Sequence, residues 1–459
     1  MSTKCNSETF EFQALKRRQV VARFDGGRIT SDGGAVLLRE TNRATGLIRQ
    51  LAQCFWDRRD GRFVRHPVEQ LVAQRVYGLA LGYEDLNDHD ELRIDELLGI
   101  LVEKSDLDEP LAGKSTLNRL ELTTDGKDVY KKVVVDEEAV ERFFIRMYLR
   151  SRRRAPRRLI LDLDATDDPL HGKQEGRFFH GFHGCYCYLP LYIFTQDGYP
   201  LWAQLRSSNI DAAAGSVEAI ERIVEEIRQY WPKVKILLRA DSGFAREELM
   251  VWCEEHEVDY VFGLAKNSRL IRKIEDALER ARQQFEQTGK AAREFCDFSY
   301  ITRESWSRQR RVIGKAEHLA KGSNPRFLVT SLSAQSYAAR YLYEKIYCAR
   351  GDMENRIKEQ QLALFADRTS SSKMKANQLR LWFSTAAYLL LHQLRRLGLR
   401  GTRMARAQCD TIRLKLLKIG AQIKISVRRI LISLASGYPY EKLFAQVYQN
   451  LVRAGPILS

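Results

Sequence analysis

The chain has 459 residues, 44% hydrophobic and 29% charged, which suits about two to four packed domains and excludes a disordered or collagen-like chain. Its longest apolar runs, such as Leu389 to Leu391, fall far short of the ~18 residues of a membrane span, and Met1 to Cys5 shows no apolar leader. Lys and Arg number 75 against 59 Asp and Glu, a net charge of +16, and residues 371–459 carry +14 of it, with only Asp410 and Glu441 as acids. A near-neutral body with one cationic end points to a polyanion partner such as nucleic acid. Eight scattered cysteines in a large chain without a leader are expected to be reduced, so a cytoplasmic location is expected.

Residues 1–155 read as mainly helical. Phe24-Asp-Gly-Gly27 and Ser31-Asp-Gly-Gly34 are turn signals around a short strand. Val68, Leu71, Val72, Val76 and Leu79 then recur at helical spacing. Asp85 to Asp95 is an acidic connection, Ser115 opens a capped helix, and Ser151 to Arg158 is a basic linker containing Pro156. Strands are predicted over 159–164, 186–194, 200–206, 234–240 and 258–264, with a helix over about 211–230, which implies an α/β domain with a mixed sheet. An amphipathic helix follows over 267–288, a small β insertion over 295–332, and helical periodicity from about 335 to the end.

Acids at strand ends carry the sharpest chemical signal. Asp162 and Asp164 in Leu159-Ile-Leu-Asp-Leu-Asp164 share one strand face, and a second apolar run ends at Asp241 before Ser242-Gly243. Carboxylates at the carboxyl ends of strands can converge in a crevice and suit hard divalent cations, although a single strand-end Asp often only caps the next turn. Tyr347, Arg350, Glu354, Lys358 and Gln361 fall three or four apart and would share a helical face, a pattern that by itself also describes a solvated surface.

These residues resemble the DDE transposases of bacterial insertion sequences. Asp164-Ala-Thr166 is similar to the first-Asp block, Asp241-Ser-Gly-Phe244 to the second, and Tyr347, Arg350 and Glu354 to the Glu-helix signature, whose final Lys is here Gln361. Blocks such as Ser31-Asp-Gly-Gly34, Gly82-Tyr-Glu-Asp-Leu-Asn-Asp88, Gly172-Lys-Gln-Glu175 and Arg350 to Ile357 look most like the IS-thirteen-eighty family, over roughly residues 20–395. The resemblance implies a ribonuclease-H-like α/β core with a β-rich insertion, flanked by a helical N-terminal region and a basic helical C-terminal region. The implied divisions are 1–155 for DNA-end binding, 156–266 for the first part of the core, and 267–332 for the insertion. Residues 333–395 would complete the core with the Glu helix, and 396–459 would bind DNA or oligomerise.

It further implies Asp164, Asp241 and Glu354 as catalytic metal ligands for two Mg²⁺ ions, with Mn²⁺ as a substitute. Asp162, Tyr347, Arg350 and Lys358 would support them. Lys266, Trp306, Arg395, Arg396, Arg400, Arg403 and Arg406 would contact DNA, with Trp306 stacking on a flipped base. The implied partners are terminal inverted repeats, target DNA and a second copy in a homodimer, in a bacterial, nucleoid-associated setting.

Three rival readings remain. Asp162-Leu-Asp-Ala-Thr166 also fits the opening motif of haloacid-dehalogenase-like phosphatases, but Gly351-Asp-Met-Glu supplies no second Asp for their later motif. His180, His183, Cys185 and Cys187 could ligate zinc, although Tyr186, Tyr188 and Leu189 continue as a strand around the cysteines. A catalytically silent, transposase-derived DNA-binding protein is the third.

Overall fold

The computed structural model describes residues 9–122 and 132–456, so Cys5 lies outside the described residues. The chain divides into two compact units, one formed by 50–58 and 121–392, the other by the remainder.

In the larger unit the apolar runs become a nine-stranded mixed sheet. Its strands are β1 (Arg158–Ala165), β2 (Leu191–Thr195), β3 (Pro200–Gln204), β4 (Lys235–Ala240) and β5 (Asp259–Leu264). They continue with β6 (Ala292–Tyr300), β7 (Arg310–Leu319), β8 (Gly322–Ser323) and β9 (Arg326–Thr330). The order is β3-β2-β1-β4-β5-β9-β7-β6, with β8 paired to β7. β2 runs antiparallel to β1 and β3, whereas β1, β4 and β5 are mutually parallel neighbours. Parallel pairing needs long crossovers, and helices α2 (Ser216–Tyr230) and α3 (Glu247–Glu255) occupy those connections. Helix α1 (Glu137–Arg150), capped by Asp136, packs on β3 and α2.

The strands of the expected insertion do not form a body of their own. β9 joins β5 through an antiparallel ladder, and β7 and β6 continue the same sheet, with helix α4 (Glu275–Thr288) packed on both. On one face Leu237, Val261, Ile313 and Leu328 bury Leu342, Tyr343 and Ile346 of the segment leading into helix α5 (Gly351–Lys358). Burial of such side chains contributes ~1.5–3 kcal/mol each, which fixes that segment over the sheet. The segment is irregular: a π-helical stretch over Leu342–Tyr347 and a tight turn over Cys348–Arg350 precede α5, and another π stretch, Glu359–Ala363, follows it. Such interruptions re-aim side chains and are frequent at functional sites. Helix α6 (Met374–Leu397) begins in the larger unit, where the Tyr388 hydroxyl donates to the Gly198 carbonyl at 3.0 Å.

The smaller unit is largely helical, but its C-terminal part corrects the all-helical expectation for 396–459. Ala421–Ser426 and Arg429–Leu434 form a hairpin that extends onto Ile29–Thr30. Ile423, Ile425, Ile430 and Ile432 alternate with other residues at period two, and β-branched alternation overrides a helical reading. A second hairpin, Thr9–Leu15 with Arg18–Arg23, likewise departs from the helical reading of 1–155. The Ser31-Asp-Gly-Gly34 block is architectural. Asp32 accepts from the Tyr83 hydroxyl at 2.6 Å and pairs with Lys418 at 2.7 Å, while a Cβ on Gly34 would lie 1.8 Å from the Leu416 carbonyl oxygen. Among the described residues no helix is long and apolar enough to cross a membrane.

Candidate active site

Strand parity brings the acids together. Arg239 on β4 pairs in register with Asp162 on β1, so Asp162, Asp164, Arg239 and, two residues beyond, Asp241 all belong to one face of the sheet. It is the face on which the segment leading into α5 packs.

Asp162 and Arg239 form a buried, bidentate pair at 2.6 and 2.7 Å. Arg239 also donates to the Ile346 carbonyl at 2.6 Å, tying the approach of the Glu helix to the sheet. Burial pushes the Asp162 carboxyl above its ordinary value, against the pull of Arg239. Its oxygens are thus committed to a structural clamp. Arg239 escaped the sequence reading, although a lone Arg inside Ile236-Leu-Leu-Arg-Ala240 was a signal that some buried acid must meet it.

Asp164, one pleat further on, faces Arg350 instead. Its Oδ2 lies 3.1 Å from Nη1 of Arg350, whose Nη2 lies 3.4 Å from Oε1 of Glu354. One guanidinium therefore bridges two of the three expected ligands. Burial pushes the Asp164 carboxyl up to about 6; Arg350 opposes this, while the negative charges of Asp241 and Glu354 add to it. That mutual repulsion places all three acids in one electrostatic neighbourhood.

Asp241 does what strand-end aspartates commonly do, accepting from the Gly243 amide at 2.8 Å through one oxygen. Gly263 on β5 allows this turn to sit close: a Cβ there would lie 2.7 Å from the Tyr347 hydroxyl and 2.8 Å from the Ser242 nitrogen. Burial raises the Tyr347 hydroxyl above its ordinary value, and Asp241 adds to the shift while Arg350 opposes it.

Among the described residues no three His, Cys, Asp or Glu side chains close on a single point as a ready metal cage. The donor set nevertheless fits a hard cation: three carboxylates from three elements, two of them held by a positive group standing between them.

Other candidates are more dispersed. Lys266 and Lys358 are exposed. Gln361, in the position of the expected Lys, donates to the Asp167 carbonyl at 3.1 Å and to Asp168 at 2.9 Å. It anchors the loop after β1. Trp306 is only 7% exposed, edge-on to Tyr300 and beneath Arg310, so its face is not open to a base in this conformation. Arg395 is buried and donates to the Ala407 carbonyl at 2.8 Å, a tie within the smaller unit rather than a phosphate ligand. Arg396 is half-buried, whereas Arg400, Arg403 and Arg406 are exposed. Rings of His180 and His183 stand 4.7 Å apart, His183 pairs with Asp167 at 3.3 Å, and Cys187 is buried.

The family profile described as "Transposase DDE domain group 1" matches residues 12–456. The chain belongs to the DDE transposases. No curated protein matches it significantly. Among solved structures it is similar to a piggyBac transposase synaptic complex with hairpin DNA, at 11% identity and a TM-score of 0.42, over 84% of this chain and 80% of that one.

Proposed function

We propose that this transposase binds the terminal inverted repeats of its element, cleaves the DNA ends and joins the 3′-hydroxyls to target DNA. The observation that carries the reading is the approach of Asp164, Asp241 and Glu354 around the Arg350 guanidinium at the carboxyl ends of β1 and β4. The order β3-β2-β1-β4-β5, with β2 antiparallel to both neighbours, supports a ribonuclease-H-like core.

Asp164, Asp241 and Glu354 would hold divalent ions, Mg²⁺ or Mn²⁺, which when bound activate the attacking oxygen and stabilise the leaving one. The protein's own groups do the rest. Asp164 must be ionised to act as a ligand, and burial together with its two acidic neighbours raises its carboxyl to about 6 in the metal-free protein. Arg350 releases the Asp164–Glu354 bridge and turns to the scissile phosphate, whose charge replaces that of the carboxylates. Tyr347 lies within reach of the same region as a hydrogen-bond donor, with Lys358 and Lys266 as backbone contacts. The Asp162–Arg239 clamp keeps β1, β4 and the Glu helix in register. Arg400, Arg403 and Arg406 serve end binding, with a homodimer pairing the two ends.

Cleavage of duplex carrying the flanking ends of the element tests this. Mg²⁺ or Mn²⁺ should support it and EDTA abolish it, and Asp241→Asn and Glu354→Gln should each cut the rate by about a hundredfold or more while DNA is still bound. Full cleavage in EDTA would remove the mechanism. Wild-type binding without any strand cleavage would favour the silent DNA-binding alternative.

A further inference from the structure

The loop after β1 rises into a small aromatic finger that no catalytic step uses. Cys185–Tyr188 is its central strand, flanked by Asp168–Pro169 and Phe178–His180. Its base is rigidly held. Gln361 grips Asp168, the Ser208 hydroxyl donates to the Phe178 carbonyl at 2.9 Å, and buried Arg206 donates to the Leu189 carbonyl at 2.9 Å. The outer part is open. Phe178 is 43% exposed, Phe179 58%, Tyr186 44% and Phe182, at the turn, 89%.

Four aromatic rings left in water on one short hairpin exceed the isolated exposed apolar residue that needs no explanation. The finger also has a polarity. Phe179 and Tyr186 are paired across the strands and meet edge to face at 5.5 Å, and the Arg177 guanidinium lies 3.8 Å from the Tyr186 ring centre. Residues 168–190 carry Lys173, Arg177 and three histidines beside two acids, Asp168, held by Gln361, and Glu175, which accepts from the Met374 amide at 3.4 Å. Flat aromatic faces interleaved with cations suit nucleobases attached to a phosphate backbone. Only Ala165, Thr166 and Asp167 separate the finger from Asp164.

We propose that this finger stacks on unpaired bases beside the scissile phosphate, so that the enzyme engages locally opened DNA. This rests on the end-cleavage reading for its location, but its test does not require cleavage. The full-length protein is titrated with an oligothymidylate, an abasic strand of equal length and a blunt duplex at one salt concentration. Phe179→Ala and Phe182→Ala should each weaken oligothymidylate binding about tenfold and leave the other two ligands unaffected, and Phe182→Trp should retain affinity. An unchanged thermal midpoint checks the fold, which a side chain this exposed does not support. Equal oligothymidylate affinity in wild type and both alanine variants overturns the proposal, as does an equal loss on duplex. If the variants instead lose self-association while oligothymidylate binding holds, the face belongs to a second copy and the proposal fails. The readings separate cleanly: Asp164→Asn should abolish cleavage yet leave oligothymidylate binding intact.

Discussion

Replacing Asp164 by Asn should make the metal-free protein more stable, and the size of the gain follows from its surroundings. The carboxyl is buried and faces two other acids, which moves it from 3.8 to about 6. The native state therefore binds the proton more tightly than the unfolded chain does, and stability falls as pH rises between those values. Integrated over the interval, the loss approaches ~3 kcal/mol above pH 6 and vanishes below about pH 4. Asn mimics the protonated carboxyl, so Asp164→Asn should escape this loss. In EDTA at pH 8 its unfolding free energy should exceed wild type by up to ~3 kcal/mol, shrinking toward zero at pH 4. Mg²⁺ added together with end-containing duplex should reverse the ranking by stabilising only the wild type, because the variant lacks one ligand. Urea unfolding at a series of pH values, with and without Mg²⁺ and that duplex, reads all of this. A variant no more stable than wild type at pH 8 in EDTA, with a flat wild-type profile between pH 4 and 6, would refute the raised Asp164 carboxyl and the burial and neighbouring charges that cause it.

Breaking the Asp162–Arg239 clamp should be costly in a different way. Arg239→Ala leaves a buried carboxylate without its partner, so urea unfolding should show a loss of ~3–5 kcal/mol, partly recovered by an Asp162→Leu, Arg239→Met pair. Gly263→Ala should lower stability by ~1–3 kcal/mol and depress cleavage by displacing the Asp241 turn, with Tyr347→Phe restoring part of the stability because it removes the 2.7 Å clash. Neutralising Arg400, Arg403 and Arg406 with Gln should flatten the slope of log K against log salt for duplex by about 0.9 for each phosphate left without its cation, whereas Arg395→Ala should show up in thermal unfolding instead.

The sheet was legible because buried parallel strands are written as continuous apolar runs. β1, β4 and β5 lie within a residue or two of their predicted spans for that reason. Elements bounded by weak turn signals were not. Nothing between Ser426 and Arg429 is a glycine, proline or asparagine, so the hairpin at 421–434 hid inside a stretch that counts as helical by charge and leucine content. Pairing of β9 with β5 is set by packing between residues more than sixty positions apart, which no local pattern records.

At the site, period two was enough to put Asp162 and Asp164 on one face, but not to say which one a buried arginine would claim. That choice is made by register. β4 pairs Arg239 with Asp162, and a bidentate guanidinium uses both oxygens of one carboxylate, leaving Asp164 the only acid of β1 free to meet Arg350. The sequence spacing likewise put Arg350 and Glu354 on one helical face, with Glu354 expected as a metal ligand and Arg350 as its support. The folded chain pairs them instead, with one Arg350 guanidinium bridging Glu354 and Asp164. If the three acids take metal as proposed, the site should resist loading it without DNA, since releasing Arg350 into the crevice leaves its charge uncompensated unless a phosphate is there to take it.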